Sequence, residues 1–580
     1  MQADKTVSKA PGTKTNSSSI LSSDGLAILD PWNDSSKSGR SDATNPSQWL
    51  SFGMIRSEVR KHTAGLKAIG IKKGDVVWVN CFNDALTEQL RYCVLYLGII
   101  GTGAIFAGIN PASTPAELSH HFRITGPKLI IAEPGLLNKT LLMAEQTGLD
   151  KSKILTFDTG SLGEIPGIRS WHTLLEYGES DWTRPEDPEN TVATYSATSG
   201  TSGPPKWAMI SHSYLVTQAA LHCSEELTGS TRLFMLAPFH AFGSPIVPAS
   251  IRQGTRTYIM RRYTEPQFIE SIYRFGVTET YIAPPILLSL SSSPQTRAGH
   301  LKSLRSIWVG GASVKYAQQK PLYDFLDEAA SIRSVWGMTE AGWITCARDK
   351  SRRCDDSVGQ CLDGFELTTG AVITEDFIGG ELLVRAPHPF LGYLENPTAT
   401  AAAFTPDRSL VRSGDIGCRH TDPETGVASF YIIDRVKELI KVRGWQVSPT
   451  EVESELLQHP AIEDAAVTGA TEGNGVEEFV RAYVVLKQHA SNSTAAPEIR
   501  TWLRERLSSY KLPQEIHFVE SIPRNSTGKI LRRVLRDGAQ KRVTEAESGP
   551  TLNDVNGSHK QGPVSPTTVS QHVGFEAKST

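Results

Sequence analysis

The segment with the clearest chemical potential is Thr198-Ser199-Gly200-Thr201-Ser202-Gly203-Pro204-Pro205-Lys206. Its crowded hydroxyls and glycines can surround a phosphate with N–H and O–H groups, and Lys206 adds a point charge. It follows a short apolar stretch at 191–195. It is not a P-loop: the G-x-x-x-x-G-K-[ST] spacing is absent, and Trp207 follows Lys206. Alone, the segment reads equally well as a solvated Ser/Gly turn. Four others join it. Trp336-Gly337-Met338-Thr339-Glu340 follows a predicted strand at 331–335 and offers an aromatic face, a hydroxyl and a carboxylate. Ser413-Gly414-Asp415 places a lone acid in a predicted turn. The run DRVKELIK at 434–441 ends a strand. RNSTGKI at 524–530 sets Lys529 behind a turn. Without the rest, KELIKVRG at 437–444 would be a solvated basic helix face and Lys529 a surface lysine.

These residues need a scaffold, and the pattern supplies one. Amphipathic or apolar stretches predict helices at 57–69, 85–97 and 265–275. Strands are predicted at 75–80, 128–132, 234–237, 257–260, 279–283 and 306–309. Strands alternating with helices argue for α/β layers with a mostly parallel sheet. Residues 92–109 carry no charge but hold Gly98, Gly101, Gly103 and Gly108. They read as buried helix, turn and buried strand rather than as a membrane span. After 358 the texture turns to hairpins, with strands at 381–385 and 428–433. Ser448-Pro449-Thr450-Glu451 is a capping-box signature with Pro at the first helical position. Strands at 465–469 and 481–487 and a helix at 501–507 then suggest a small α+β domain.

The chain has 580 residues, too many for one core. With 59 basic and 62 acidic residues its net charge is −3, so no global field favours nucleic acid or an anionic membrane. Seven cysteines without a C-x-x-C pair argue against a disulfide framework or a zinc site, and for reduced cysteines in a cytoplasmic protein. No signal peptide opens the chain, and Lys578-Ser579-Thr580 is not the peroxisomal tripeptide. The expected organisation is a disordered tail at 1–30, a large domain at 31–434, a small domain at 435–540 and a second disordered tail at 541–580.

Taken together and in order, TSGTSGPPK, WGMTE, SGD, DRVKELIKVRGWQVSP and the terminal GK resemble the adenylate-forming superfamily. That superfamily holds acyl-CoA synthetases, peptide-synthetase adenylation domains and firefly-type luciferases. The likeness spans about residues 40–538 and is strongest to the 4-coumarate–CoA-ligase-like branch. The resemblance implies a large adenylation domain of layered α/β subdomains with a β-barrel-like part, followed by a small mobile α+β domain. It implies ATP, Mg2+ and CoA as cofactors. Residues Thr198 to Lys206 would hold the ATP phosphates; Gly311 and Ala312 would lie along adenine, and Trp336 would stack on it. Gly337 and Thr339 would also line the nucleotide, and Glu340 would hold Mg2+. Asp415 would accept the ribose hydroxyls, with Arg435 assisting. Lys529 would meet the charge that grows at the α-phosphate. Phe239, His240, Tyr281, Trp308, Gly310, Gly337 and Met338 would line the acid pocket. Lys437 would be the hinge about which the small domain turns, bringing Lys441, Arg443, Gly444 and Trp445 to the adenylate and CoA.

Two positions depart from the family pattern: Trp207 stands where Gly is usual, and Trp308 where some coumarate ligases have Lys. The candidate pocket segments, 239–247, 281–285, 308–313 and 337–343, are small, apolar and aromatic, and 239–244 lacks the Asp that amino-acid-activating relatives use. Amino acids are disfavoured; medium-chain fatty, arylalkanoic and polyketide-type acids stay open. The expected partners are a small carboxylic acid, ATP and CoA, with no nucleic acid and no membrane span. The alternative thiol is a carrier-protein phosphopantetheine. A luciferase-like oxygenase on the same scaffold would need O2-dependent light; a non-catalytic nucleotide regulator would be expected to lack a motif lysine or the metal acid, yet Lys206, Glu340, Asp415 and Lys529 are all present.

Overall fold

A computed structural model describes residues 40–536 except 43–48, 82–88, 158–165, 199–205, 223–228, 261–262, 312–313, 348–354, 370–378, 436–437, 443–444, 472–477, 488–491, 508, 525–527 and 533. Both predicted tails lie outside the described residues. The chain separates into compact units at Met1–Arg533 and Val534–Thr580; the elements below belong to the first.

Two large sheets carry the main body. In one, Ser331–Met338, Ser306–Val309, Glu279–Ile282, Thr231–Phe234, Arg256–Ile259 and Arg40–Asp42 run parallel. Antiparallel strands flank them at both edges. In the other, Val192–Thr198, Ile105–Gly108, Val76–Asn80, Leu129–Ala132, Ile154–Thr156 and Arg169–Ser170 run parallel, and Lys206–Ser211 and Gly392–Tyr393 add an antiparallel edge. Val76–Asn80 and Leu129–Ala132 are buried at every position, as parallel strands covered on both faces must be. The uncharged stretch at 92–109 resolves as expected. Helix Gln89–Thr102 ends at Gly103, whose φ of 83° turns the chain into strand Ile105–Gly108.

Beyond these sheets, Glu366–Thr369, Gly380–Arg385, Val411–Thr421 and Ala428–Arg435 form a four-stranded antiparallel sheet in the region expected to be barrel-like. A smaller layer follows. Strands Ile462–Thr471, Glu478–Leu486 and Glu515–Phe518 pack helices Pro449–Leu457 and Asn492–Arg504. Its core, including Val447, Val452, Leu456, Val467, Val484, Ile499 and Leu503, is separate from those of the large sheets.

Four local expectations need correction. The strand predicted at 234–237 is Thr231–Phe234; Pro238 lacks the N–H a central strand needs. The helix predicted at 501–507 is Asn492–Arg504, its polar first turns having hidden its start. The Ser448 hydroxyl accepts from Glu451 N as predicted, but the Glu451 carboxylate pairs with Lys511 (2.6 Å). The capping box is therefore half formed. Finally, Ser413-Gly414-Asp415 is a bulge inside strand Val411–Thr421 rather than a turn. Arg412 and Ile416, four residues apart, face Leu383 and Glu381, two apart. Gly414, at φ 70°, absorbs the excess.

Candidate active site

The candidate residues collect at the carboxyl ends of the parallel strands, where open α/β sheets place their ligands. Segment 236–244 follows Thr231–Phe234, Ala283 to Pro285 follow Glu279–Ile282, and Gly310 and Gly311 follow Ser306–Val309. Strand Ser331–Met338 leaves the parallel sheet after Ser334 and becomes one arm of a hairpin with Gly342–Cys346. The pairing shifts register between Trp336 and Gly337. A Cβ on Gly337 would lie 2.2 Å from the Gly342 carbonyl oxygen, so only glycine lets the arms close there.

That hairpin meets the bulge at Asp415. The Trp336 indole Nε1–H donates to Asp415 Oδ2 (2.8 Å), and both residues are buried. Arg435, directly across the strand pair, reaches Asp415 Oδ1 with Nε (3.1 Å). The carboxylate is held at both oxygens, and each oxygen keeps a lone pair for a hydroxyl donor. Lys529 comes to the same place. Gly528, at φ 82°, lies so close to Pro285 that a Cβ there would be 2.9 Å from Pro285 Cδ. Burial first, then Arg435, holds the Lys529 ammonium below its ordinary range, at about 8, and Asp415 and Glu438 also act on it. Arg532, three residues on, pairs with Glu438 (3.1 Å) and Glu453 (2.7 Å) and so ties this segment to the small core.

On the phosphate side, Thr198 and Lys206 pair across antiparallel strands, and the Thr198 hydroxyl donates to the Lys206 carbonyl (3.2 Å). The expected phosphate loop is therefore the connection of a hairpin; Ser199, Gly200, Thr201, Ser202 and Gly203 lie outside the described residues. Trp207 is no disturbance. Strand alternation turns it away from Lys206 into the core, edge-on to His121 at 5.3 Å. The Lys206 ammonium sits 4.1 Å from the Tyr393 ring centroid, and the Tyr393 hydroxyl donates to Glu340 Oε1. Tyr214 donates to the Thr339 carbonyl (3.1 Å), fixing the residue before Glu340. Among the described residues no cluster of three His, Cys, Asp or Glu side chains could hold a metal. A single buried carboxylate suits Mg2+, which takes one or two protein oxygens plus substrate phosphates.

The acid side is aromatic. The Phe242 ring covers Gly310, where a Cβ would lie 2.8 Å from Phe242 Cε2. Phe242 stacks on Trp343 (5.2 Å), whose Nε1–H donates to the Phe242 carbonyl (3.2 Å). Trp308 and Tyr281 lie behind, at 5.8 and 6.3 Å from Trp343. Their polar atoms turn inward: Tyr281 Oη (2.7 Å) and Trp308 Nε1 (3.0 Å) both donate to Glu279 Oε1. Arg232 donates to Glu279 Oε2 through Nε (2.9 Å) and Nη2 (2.7 Å), and this pair is fully buried. Half-buried His240 accepts from Phe242 N–H at Nδ1 (3.4 Å), which leaves the proton on Nε2. Burial lowers its pKa, so it is neutral near pH 7. Phe239 seals the end of strand Ile105–Gly108, its Cβ 2.3 Å from where a Gly108 side chain would begin. A cavity lies among Thr194, Ser196, Tyr214, Phe239, Ser244 and Thr339, with Tyr96 and Phe106 also lining it.

Ala312, Lys437, Arg443 and Gly444 lie outside the described residues, as do the side chains of Lys441 and Trp445; the backbones of these last two face each other's neighbours in hairpin Ile440–Val442/Trp445–Val447. Met338 closes the hairpin opposite Gly342. Sequence reasoning missed Tyr393, Phe242, Trp343 and the Arg232–Glu279 pair. Only Phe242 and Trp343 lay within pocket segments already singled out; an isolated Tyr, Arg or Glu in a strand carries no local signal.

Comparison with known proteins identifies the family. Residues 33–394 match the model of the AMP-binding enzyme family, and 451–529 that of the AMP-binding enzyme C-terminal domain. A phenylacetyl-CoA ligase of Aspergillus niger is 36% identical over 512 residues, covering 86% of this chain and 93% of its own. A nicotinic acid-CoA ligase of Penicillium canescens is 32% identical, covering 84% and 92%. The fold is shared with a benzoate CoA ligase from Burkholderia xenovorans at a TM-score of 0.74, 22% identity, and coverage of 88% and 99%. With the site and both matched segments in place, the chain belongs to the AMP-binding enzymes, the adenylate-forming family that its motifs resemble.

Proposed function

We propose that this chain is an ATP-dependent acyl- or aryl-CoA ligase acting on a compact aromatic acid. The observation that supports this reading is that Lys529 lies within electrostatic reach of the Asp415–Arg435 pair, which favours a role for the last ordered motif at the nucleotide. A carboxylate oxygen of the acid attacks the α-phosphorus of ATP, and the bond to the β-phosphate oxygen breaks as pyrophosphate leaves. The Lys529 ammonium offsets charge on the α-phosphate oxygens in that transition state. Trp336 stacks on adenine, while Asp415, braced by Trp336 and Arg435, accepts from the ribose. Mg2+ at Glu340 would neutralise phosphate charge. His240 offers Nε2–H to the acid carboxylate. The CoA sulfur, having lost its proton, then attacks the acyl carbon, and AMP leaves. Turning about Lys437 brings Lys441, Arg443, Gly444 and Trp445 to that second step.

The aromatic wall of Phe242, Trp343, Trp308 and Tyr281 supports a flat, apolar acid, and so do the acids in the names of similar ligases. No helix among the described residues is long and apolar enough to cross a membrane; a cytoplasmic location is part of the proposal and rests on sequence alone. The test is ATP–pyrophosphate exchange over a panel of carboxylic acids, with Lys529→Ala as control and CoA added to the hits. Exchange with aryl acids, lost in the variant and followed by acyl-CoA, supports the proposal. Exchange without acyl-CoA replaces CoA by a carrier-protein thiol, and no exchange with any acid refutes the enzyme reading.

A further inference from the structure

The short edge strand Gly392–Tyr393 pairs antiparallel with Lys206–Ser211, with Tyr393 opposite Ala208. Lys206 and Ala208 are two residues apart and share a face, so the Tyr393 ring is the diagonal neighbour of the Lys206 side chain. The backbone there is tightly held. Leu394 N donates to the Trp207 carbonyl (2.8 Å), Phe390 N to the Glu340 carbonyl (2.9 Å), and Tyr393 N to Thr400 Oγ1 (2.8 Å). Gly392, at φ 137°, lets this turn form, since a Cβ there would meet Thr400 Cγ2 at 2.8 Å. One segment is thus fastened both to the strand that starts at Lys206 and to the residue that ends WGMTE.

Between these two lies the Tyr393 side chain. Its ring face takes the Lys206 ammonium at 4.1 Å, and its hydroxyl donates to Glu340 Oε1. Among the described residues, Lys206 meets the Tyr393 ring and Glu340 takes the Tyr393 hydroxyl at Oε1, with no ion pair between Lys206 and Glu340 and no hydrogen bond at Glu340 Oε2. A phenol that donates to a carboxylate has a more electron-rich ring, which strengthens its hold on a cation.

We propose that Tyr393 is a positioning residue for adenylation: it stands between the phosphate-loop lysine and the metal carboxylate, holding both in place while preventing them from collapsing into a direct ion pair. Lys206 then keeps its donors for phosphate, and Glu340 keeps Oε2 for Mg2+. This rests on the reading of Lys206 and Glu340 as phosphate and metal residues given above.

The experiment is calorimetric titration of ATP into the full-length protein, without acid, across a series of Mg2+ concentrations. Wild type, Tyr393→Phe, Tyr393→Leu and Glu340→Gln are compared, with melting curves confirming folding. Tyr393→Phe keeps the ring and loses the hydroxyl. It should weaken Mg2+-free ATP binding only slightly, through its less electron-rich ring, and need about 10- to 100-fold more Mg2+ to reach the tight complex. Tyr393→Leu should also weaken Mg2+-free ATP binding, because Lys206 loses its platform and can pair with Glu340. If Leu fails to fold, Phe decides alone. A wild-type Mg2+ response in Tyr393→Phe, beside a lost response in Glu340→Gln, overturns the inference and leaves the ligase reading intact. A wild type that binds ATP with no Mg2+ response overturns the metal role of Glu340 and this inference with it.

Discussion

Replacing Glu279 by Gln should weaken both the fold and the use of the acid, while sparing the use of ATP. Glu279 is buried, and its two oxygens accept from five donors: Arg232 Nε and Nη2 and Ser230 Oγ on Oε2, Tyr281 Oη and Trp308 Nε1 on Oε1. Gln is nearly isosteric but has one acceptor oxygen and an NH2 group. Its better orientation gives the carbonyl to Arg232. Tyr281 can then rotate its hydroxyl and accept, but the Trp308 N–H faces another donor and Arg232 loses its counter-charge in the core. An unmade hydrogen bond to a charged group costs about 1.5–3 kcal/mol, and breaking a buried pair about 3–5. A loss of about 3 kcal/mol is expected, read as a lower melting temperature. Trp308 also backs the Phe242–Trp343 wall, so the acid KM in pyrophosphate exchange should rise roughly 10-fold with the ATP KM unchanged. Burial pushes the Glu279 carboxyl up, but Arg232 and the Tyr281 and Trp308 hydrogen bonds outweigh it and hold it below its ordinary 4.5. The pair's contribution is therefore complete above that pH and is lost as pH falls through the lowered folded value; the Gln variant should lack this acid dependence. A Glu279→Gln protein with wild-type melting and wild-type acid KM would refute the idea that this pair supports the acid wall.

Three further outcomes follow from the same geometry. Lys529 must be an ammonium to offset charge, and its pKa is held at about 8. The kcat/KM for ATP in exchange should thus fall as pH rises through about 8, and Lys529→Arg should shift that limb to higher pH. Gly337→Ala forces a Cβ against the Gly342 carbonyl oxygen, so a stability loss of about 1–3 kcal/mol and a raised ATP KM are expected. Arg532→Ala strands the half-sheltered Glu438 and buried Glu453, and about 3–5 kcal/mol should be lost, detected as earlier melting and faster proteolysis of the 438–532 region.

Much of the scaffold was legible from local pattern. Buried parallel strands read as continuous apolar runs, the helix Glu265–Phe275 as an amphipathic period, and the turn at Gly103 as a glycine between two apolar stretches. Signals failed where a residue's role depends on a distant partner. Ser413-Gly414-Asp415 looks like a turn because Ser, Gly and Asp favour turns; only pairing with Gly380–Arg385 makes it a bulge that aims Asp415 at Trp336. Trp207 looked like a disturbance to the phosphate loop until strand alternation placed it in the core.

By itself, the sequence determined which chemistry is possible. Lys206 behind its Ser/Gly run, the carboxylates Glu340 and Asp415, and the late Lys529 stand in family order, and that order carries the resemblance to the adenylate-forming enzymes. The tertiary structure decided how these groups are held. It set Lys529 within electrostatic reach of Arg435 and Asp415, and Tyr393 between Lys206 and Glu340. It also put a buried Arg232–Glu279 pair behind the aromatic wall. Each of these relations joins residues far apart in the chain, through pairing register and burial. Such contacts leave no periodicity to read, because the energy that fixes them belongs to the packed core and not to any one segment.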